Sequence, residues 1–298
     1  MRVLVAGRSG QVANALARGA AKRDGDIICL GRPGLDITDD HTIASALDEH
    51  KPDVVINAAA YTAVDRAEGD SKAAFAVNAN GPELLAKATA GRGIPLLHVS
   101  TDYVFSGSKT TAYVEDDPTA PAGIYGKSKL AGEEAVRKTN ARHVIVRTAW
   151  VFDVTGSNFP KTMLRLAVQR DEVSIISDQH GNPTDAREIA NALIAAAKKV
   201  HERPQDAEWG TFHFSGPASM NWADFARLIF AVSARHGGPV ARVLDITTDD
   251  YPTAAKRPAN SMLDSSQFHA RFGYQAIALE QSLERCMPQW LESLKGGA

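Results

Sequence analysis

Tyr125 and Lys129 stand four residues apart in the stretch "YGKSKLAGE", a spacing that puts both side chains on one face of a helix, a turn apart. A free phenol titrates near pH ~10 and is a reluctant proton donor at neutrality. An ammonium fixed beside it favours the phenolate and makes proton transfer to a carbonyl oxygen feasible. Just upstream, the apolar run of "IPLLHVS" gives way to Ser100, Thr101 and Asp102, so that hydroxyls leave the carboxyl end of a strand. Thr101 is the first candidate to bind a substrate oxygen there, with Ser100 the second. Taken alone, such a Tyr/Lys pair is more often part of a solvated helix face. Its chemistry depends on the elements around it.

Those elements alternate. "RVLVA" (2–6), "DIICL" (26–30), "DVVIN" (53–57), "IPLLHVS" (94–100) and "HVIVRT" (143–148) are nearly continuous apolar runs, as parallel strands covered on both faces should be. Between them lie amphipathic runs: "QVANALARGAAKR", "DHTIASALDEH", "SKAAFAVNANGPELLAKATAGRG" and "SKLAGEEAVRK". The alternation predicts an α/β fold, a Rossmann-type doubly wound parallel sheet over residues 1–150, with ligands at the carboxyl ends of the strands. After residue 150 helical runs at 186–200, 222–235 and 279–294 alternate with Gly/Pro-rich segments such as "SDQHGNPTDAR" and "YPTAAKRPANS". Residues 151–298 therefore read as a smaller C-terminal, mainly substrate-binding region, with some elements returning to the Rossmann core. The closing "KGGA" reads as a loose tail.

Directly after the first strand comes "GRSGQVA". Gly7 and Gly10 allow a pyrophosphate to approach the backbone, and a helix opening at Gln11 offers free N–H groups and a positive dipole end. The third small residue is Ala13. The second strand ends in Gly31 and Arg32 rather than in an acidic residue for a ribose hydroxyl. An arginine there suits a 2′-phosphate, so NADPH is the expected cofactor, with NADH left open. Asp36 is placed to contact the adenine or its ribose, or to cap the next helix.

Composition narrows the alternatives. The 298 residues are 44% hydrophobic and 23% charged, with a formal net charge of −2 and no block of like charge, which suggests neither nucleic acid nor an anionic membrane as partner. Cys29 and Cys286 lack the spacing of a disulfide framework or zinc site. Nine scattered histidines show no paired ligand spacing, so no metal is expected. Without a signal-like or membrane-length apolar run, the expected location is cytoplasmic.

Glycine loop, strand-end Ser/Thr and Tyr-x-x-x-Lys together resemble the extended short-chain dehydrogenase/reductase family. More narrowly, "NAAAYTAVDRAE", "VNANGPELLA", "STDYVFSG", "YGKSKLAGE", "RTAWVF", "NFPKTMLRLA", "DQHGNPT" and "RPANSMLD" resemble the dTDP-4-dehydrorhamnose reductases from the first strand to about residue 265. The resemblance implies NAD(P)H-dependent reduction of the C4 ketone of dTDP-4-dehydrorhamnose to dTDP-L-rhamnose, with Thr101, Tyr125 and Lys129 catalytic. It also implies that Gly7, Gly10, Gln11 and Val12 hold the pyrophosphate and that Asp36 and Ile37 lie near the adenine. Ala58, Ala59 and Tyr61 would line the nicotinamide side, with Lys129 reaching its ribose. On the substrate side it implies Trp150 against the sugar, and Asn158, Arg257 and Asn260 against phosphates or sugar hydroxyls; for Trp150 a purely structural role carries equal weight. Ala15 stands where some bacterial members carry a glutamate that helps bind magnesium at a dimer interface, so a homodimer by that route is not implied and other dimers stay open. "WVFD" replaces the more usual aromatic–glycine ending, which puts the shape of the following loop in question. Rival readings are a reductase of another nucleotide-linked 4-keto-6-deoxy sugar, and a non-catalytic NADP-binding regulatory subunit.

Overall fold

The computed structural model describes residues 1–20, 26–205 and 208–295. Its elements in chain order are β1 (Arg2–Ala6), α1 (Gln11–Ala20), β2 (Asp26–Leu30), α2 (Asp40–His50), β3 (Val54–Asn57), α3 (Val64–Gly69), α4 (Ser71–Phe75), α5 (Gly81–Ala90), β4 (Leu96–Thr101), α6 (Ile124–Thr139) and β5 (His143–Thr148). There follow β6 (Val151–Phe152), α7 (Phe159–Gln169), β7 (Glu172–Ile176), β8 (His180–Gly181), β9 (Thr184–Asp185), α8 (Ala186–Glu202), β10 (Gly210–His213), β11 (Met220–Asn221), α9 (Trp222–Arg235), β12 (Arg242–Ile246), α10 (Ser266–Phe272) and α11 (Leu279–Lys295). The far end of the run predicted as the first helix and the glycines of the closing tail lie outside the described residues.

Six strands form one parallel sheet in the order β10-β5-β4-β3-β1-β2. The chain runs outward from β1 to β2, then returns to the other side of β1 for β3. The order therefore reverses between β1 and β3, where a crevice opens beyond the carboxyl ends of the strands. The β-branched runs read from the sequence are the five central strands, and Val54, Val55 and Ile56 are fully buried as a doubly covered strand requires. One face packs Val3, Val5, Ile56 and Val146 against Leu16, Ile189 and Leu193 of α1 and α8. The other packs Leu4, Val55 and Ile145 against Ile43, Leu85 and Val136 of α2, α5 and α6.

The sixth strand, β10, is absent from the sequence reading: "GTFH" is four residues long with two buried side chains, too short to show a pattern. With it, α8 closes one face of the sheet, so elements beyond residue 150 complete the core of the first half. A second core joins α7, α9 and α11 through Met163, Leu164, Phe225, Ile229, Met287 and Trp290, beside the parallel β7–β12 pair.

The run 71–93, read as one helix, is broken. A five-residue π turn, Ala76–Asn80, separates α4 from α5. The cause is Asn78, a polar side chain drawn inward: its Oδ1 accepts from Tyr61 N–H at 2.8 Å, and its Nδ2 donates to the Tyr61 carbonyl at 3.0 Å and to Ser128 Oγ at 3.0 Å. Single π turns inside helices tend to mark such functional constraints.

Candidate active site

The loop after β1 turns at Gly7, whose φ of 131° lies where a side chain is strained, and whose missing Cβ would stand 3.2 Å from the Ala58 carbonyl carbon. Ala13 packs behind it, 3.4 Å from the same position. Nothing lies within 4 Å of the Cβ position of Gly10, so the mouth of the turn is open. Helix α1 carries no acidic residue in its first turn, leaving its N-terminal field unopposed for an anion. Loop, helix end and crevice fit a dinucleotide pyrophosphate. Gln11 bridges away from it, donating to the Val151 carbonyl at 3.3 Å and accepting from Asn158 Nδ2 at 3.1 Å, while Val12 packs onto the core.

Beyond β2, Arg32 is exposed and its guanidinium acts on Asp36. Asp36 is tied into a local turn, its Oδ1 accepting from Thr38 N–H at 2.9 Å and Thr38 Oγ1 at 2.8 Å. These bonds and Arg32 hold its carboxyl below the usual range. Ile37 is buried against Gly81. Ala58 N–H donates to the Ala6 carbonyl at 2.9 Å, Ala59 N–H to Asn57 Oδ1 at 3.1 Å, and Asn78 pins Tyr61 as described. The segment after β3 is thus fastened along the crevice.

Thr101 ends β4. Its hydroxyl donates to Asp102 Oδ1 at 2.8 Å and accepts from Tyr103 N–H at 3.2 Å. Tyr125 opens α6, whose first free N–H, on Ile124, donates to Glu68 Oε1 of α3 at 2.8 Å. The close fit of this helix end requires Gly126, since a Cβ there would meet the Tyr103 carbonyl oxygen at 2.2 Å. Tyr103 and Tyr125 meet edge to face at 5.5 Å. Burial pushes the Tyr125 phenol up to about 12, while the Thr101 hydroxyl pulls it down. Lys129 reaches past the phenol to β4. There its Nζ donates to the Val99 carbonyl at 2.7 Å and lies 3.4 Å from His98 Nε2. Burial pushes the Lys129 ammonium down to about 8, with Glu133 opposing.

Ser100, the second candidate, faces the other way, as alternation along a strand demands. It acts on Glu133, which forms a two-pronged buried pair with Arg147 of β5 at 2.9 and 2.8 Å. Asp102 is fully inside; burial pushes its carboxyl up to about 6, and its Oδ2 has no hydrogen-bond partner among the described residues.

On the C-terminal side, Trp150 takes a left-handed backbone with φ 46°, a strained choice for a bulky residue. Its ring stacks on Trp222 with centroids 3.4 Å apart and planes within 4°, and its Nε1 donates to Ser261 Oγ at 3.2 Å. Arg257 spans Asp65 with two bonds of 2.7 and 3.2 Å. Two expected substrate contacts are committed elsewhere. Asn158 caps α7 and gives its amide to Gln11 and the Asp153 carbonyl. Asn260 gives its amide to the Lys109 and Thr111 carbonyls at 2.7 and 2.8 Å and accepts from Met262 N–H at 2.9 Å. Both are loop clamps, because an asparagine on a buried turn is first claimed by backbone. Sequence reasoning missed Asn57, Asn78, His98 and Trp222; the signal for the first three was a polar residue inside an otherwise apolar run.

Among the described residues no group of three or more His, Cys, Asp or Glu side chains could hold a metal ion. Ala15 lines a cavity of about 520 Å³ with Arg18, Asp153, Asp185, Arg187 and Arg285, which shares no residue with the Thr101–Tyr125–Lys129 set.

A six-stranded parallel sheet with a glycine turn at its switch point, and a Thr/Tyr/Lys set beside the end of β4, defines the extended short-chain dehydrogenase/reductase architecture. Within that class the chain belongs to the dTDP-4-dehydrorhamnose reductase family. Residues 1–291 match the family model described as the RmlD substrate binding domain. The chain is 43% identical to a dTDP-4-dehydrorhamnose reductase of Sinorhizobium fredii over 99% of both chains, and 42% identical to one of Aggregatibacter actinomycetemcomitans over 95% of this chain and 97% of that one. Among solved structures, the dTDP-4-dehydrorhamnose reductase of Bacillus anthracis in complex with NADP matches with TM-score 0.88 at 33% identity, covering 97% of this chain and 99% of that one. The Clostridium acetobutylicum enzyme matches with TM-score 0.87 at 32% identity, over 99% and 100%.

Proposed function

We propose that this chain reduces the C4 ketone of dTDP-4-dehydrorhamnose to dTDP-L-rhamnose with NADPH. The observation that carries the reading is the convergence of Thr101 at the end of β4 and Tyr125 at the start of α6, with Lys129 anchored to the same strand and the Gly7 turn at the neighbouring switch point. The named activity of relatives at about 40% identity over nearly the whole chain supports the choice of substrate, and the NADP complex of a family member supports the cofactor.

When bound, the cofactor supplies a hydride. Gly7, Gly10 and the N-terminus of α1 receive its pyrophosphate, and Arg32 its 2′-phosphate, while the strapped segment Ala58–Tyr61 lines the nicotinamide. Tyr125 gives its proton to the ketone oxygen, and Thr101 orients that oxygen. A phenol held near 12 stays protonated until the substrate oxygen gains negative charge, which suits a donor. Lys129 meets the ribose hydroxyls and favours the phenolate left behind. Residues 1–150 supply the cofactor site, and residues from 151 onward mainly the substrate site, with α8 and β10 serving the core. Trp150 flanks the sugar and Arg257 the diphosphate. No helix among the described residues is long and apolar enough to cross a membrane; a cytoplasmic location and a homodimer are part of the proposal.

The test follows NADPH absorbance as purified protein meets enzymatically generated dTDP-4-dehydrorhamnose. Turnover to dTDP-L-rhamnose, reduced by on the order of 10²–10⁴ in Tyr125→Phe with NADPH binding unchanged, is the expected result. NADPH binding without turnover would point to another keto sugar or to a regulatory subunit.

A further inference from the structure

Asn57 and His98 are register partners on the adjacent strands β3 and β4, and both are fully buried. Their hydrogen bonds have a forced direction. Ala59 N–H donates to Asn57 Oδ1 at 3.1 Å, so the other arm of that amide, the Nδ2 with only protons to offer, faces His98 Nδ1 at 3.1 Å. His98 Nδ1 must therefore be the bare, accepting nitrogen. Burial, with Lys129 and His143 nearby, holds the ring neutral. A neutral imidazole has one proton, and here it is left on Nε2. Nε2 lies 3.4 Å from Lys129 Nζ.

An ammonium has three protons and no lone pair, so an N–H pointed at it is a repulsive contact, whereas a neutral amine can accept it. The second tie of Lys129, to the Val99 carbonyl, is served by either form. We infer that Asn57 fixes the tautomer of His98, and that the outward Nε2–H makes His98 a positioning residue that loosens the proton on Lys129.

Glu133, on the same helix, works in the opposite direction; His143 of β5 acts on His98 rather than on the lysine directly; and Tyr125 is a turn away on α6. Desolvation by burial brings the ammonium down to about 8, and the outward Nε2–H works in the same direction. Resting on the proposed reductase activity, the consequence is that the charge which favours the Tyr125 phenolate is lost as pH rises through the region of 8. An exposed lysine would keep that charge about two units further.

The structural half of this inference is tested without substrate. The full-length chain, labelled with ¹⁵N-histidine and ¹³C-lysine, is titrated by NMR, the Lys129 signal being assigned by its loss in Lys129→Met. The wild type should show His98 protonated at Nε2 and Lys129 titrating near 8. In Asn57→Asp the ring proton moves to Nδ1, whose N–H donates a hydrogen bond to the carboxylate, Nε2 turns its lone pair to the lysine, and Lys129 should titrate higher by about one unit or more. The alkaline limb of kcat should move with it, a readout that mere loss of packing would not shift. His98 protonated at Nδ1 in the wild type overturns the inference, and so does a Lys129 shift in the variant without a tautomer change, which would report only the added carboxylate. If Asn57→Asp does not fold, the wild-type tautomer decides. A failed reductase assay with the expected tautomer in place would count against the activity and not against the positioning pair.

Discussion

Asp102 shows how one buried carboxyl can bind function to stability. Its Oδ1 accepts a hydrogen bond from the Thr101 hydroxyl, whose oxygen in turn accepts from Tyr103 N–H, while burial lifts its titration to about 6. Between the ordinary carboxylate value and 6 the folded chain binds more protons at this site than the unfolded chain. Stability from this group therefore falls as pH rises through that window. Asp102→Asn, which carries no charge to bury, is expected to gain on the wild type by up to about 3 kcal/mol between pH 4 and pH 7. Urea unfolding at the two pH values measures this; an equal difference at both would mean the carboxyl is not the source. At this scale the sequence exposes residue types and little of their orientation. The Thr101, Tyr125 and Lys129 set was legible because strand end and helix spacing are local. That Lys129 would turn to Val99 and His98 was not, since its partners lie on a strand some thirty residues upstream.

The element that carries the site is α6, and its placement depends on contacts the sequence pattern does not reveal. Gly126 lets its first turn close on Tyr103, Ser128 meets the π-turn Asn78, and Glu133 pins its second half to Arg147 of β5, with Arg137 as a further partner at 3.1 Å. A buried pair of this kind adds little over a well-packed apolar pair but is costly to break on one side. Arg147→Met is expected to destabilise by about 3–5 kcal/mol, and Glu133→Leu/Arg147→Met together to recover most of that loss. Thermal or urea unfolding of both variants decides; a double variant as unstable as the single one would mean that the arginine matters through its packing over Phe105 instead. The five central strands were legible because parallel strands buried on both faces must be continuously apolar. The break at 76–80 was not, since Asn78 serves a loop and a helix that are remote in sequence.

In the whole molecule, the two cores are stitched across the crevice by a segment that returns from the C-terminal side. Its most direct tie is Arg257 to Asp65, reinforced by Ala255 N–H to the same carboxylate at 3.1 Å. The sequence offered Arg257 as a diphosphate partner but gave no sign that a carboxylate already holds it, because that pairing joins residues 192 positions apart. If Arg257 receives the nucleotide diphosphate, it must first give up Asp65, and the pair then competes with substrate. The Asp65 carboxylate is 46% exposed, so the pair is worth no more than about 1 kcal/mol to stability. Asp65→Ala is accordingly expected to lose at most that much stability. It should also lower KM for the nucleotide sugar by up to about fivefold, the same free energy released to binding, with kcat little changed. Steady-state kinetics alongside unfolding measure both. A KM that rises in Asp65→Ala would reverse the reading: the carboxylate would then be holding the arginine in its binding position, and the ion pair would belong to the assembled site rather than compete with it.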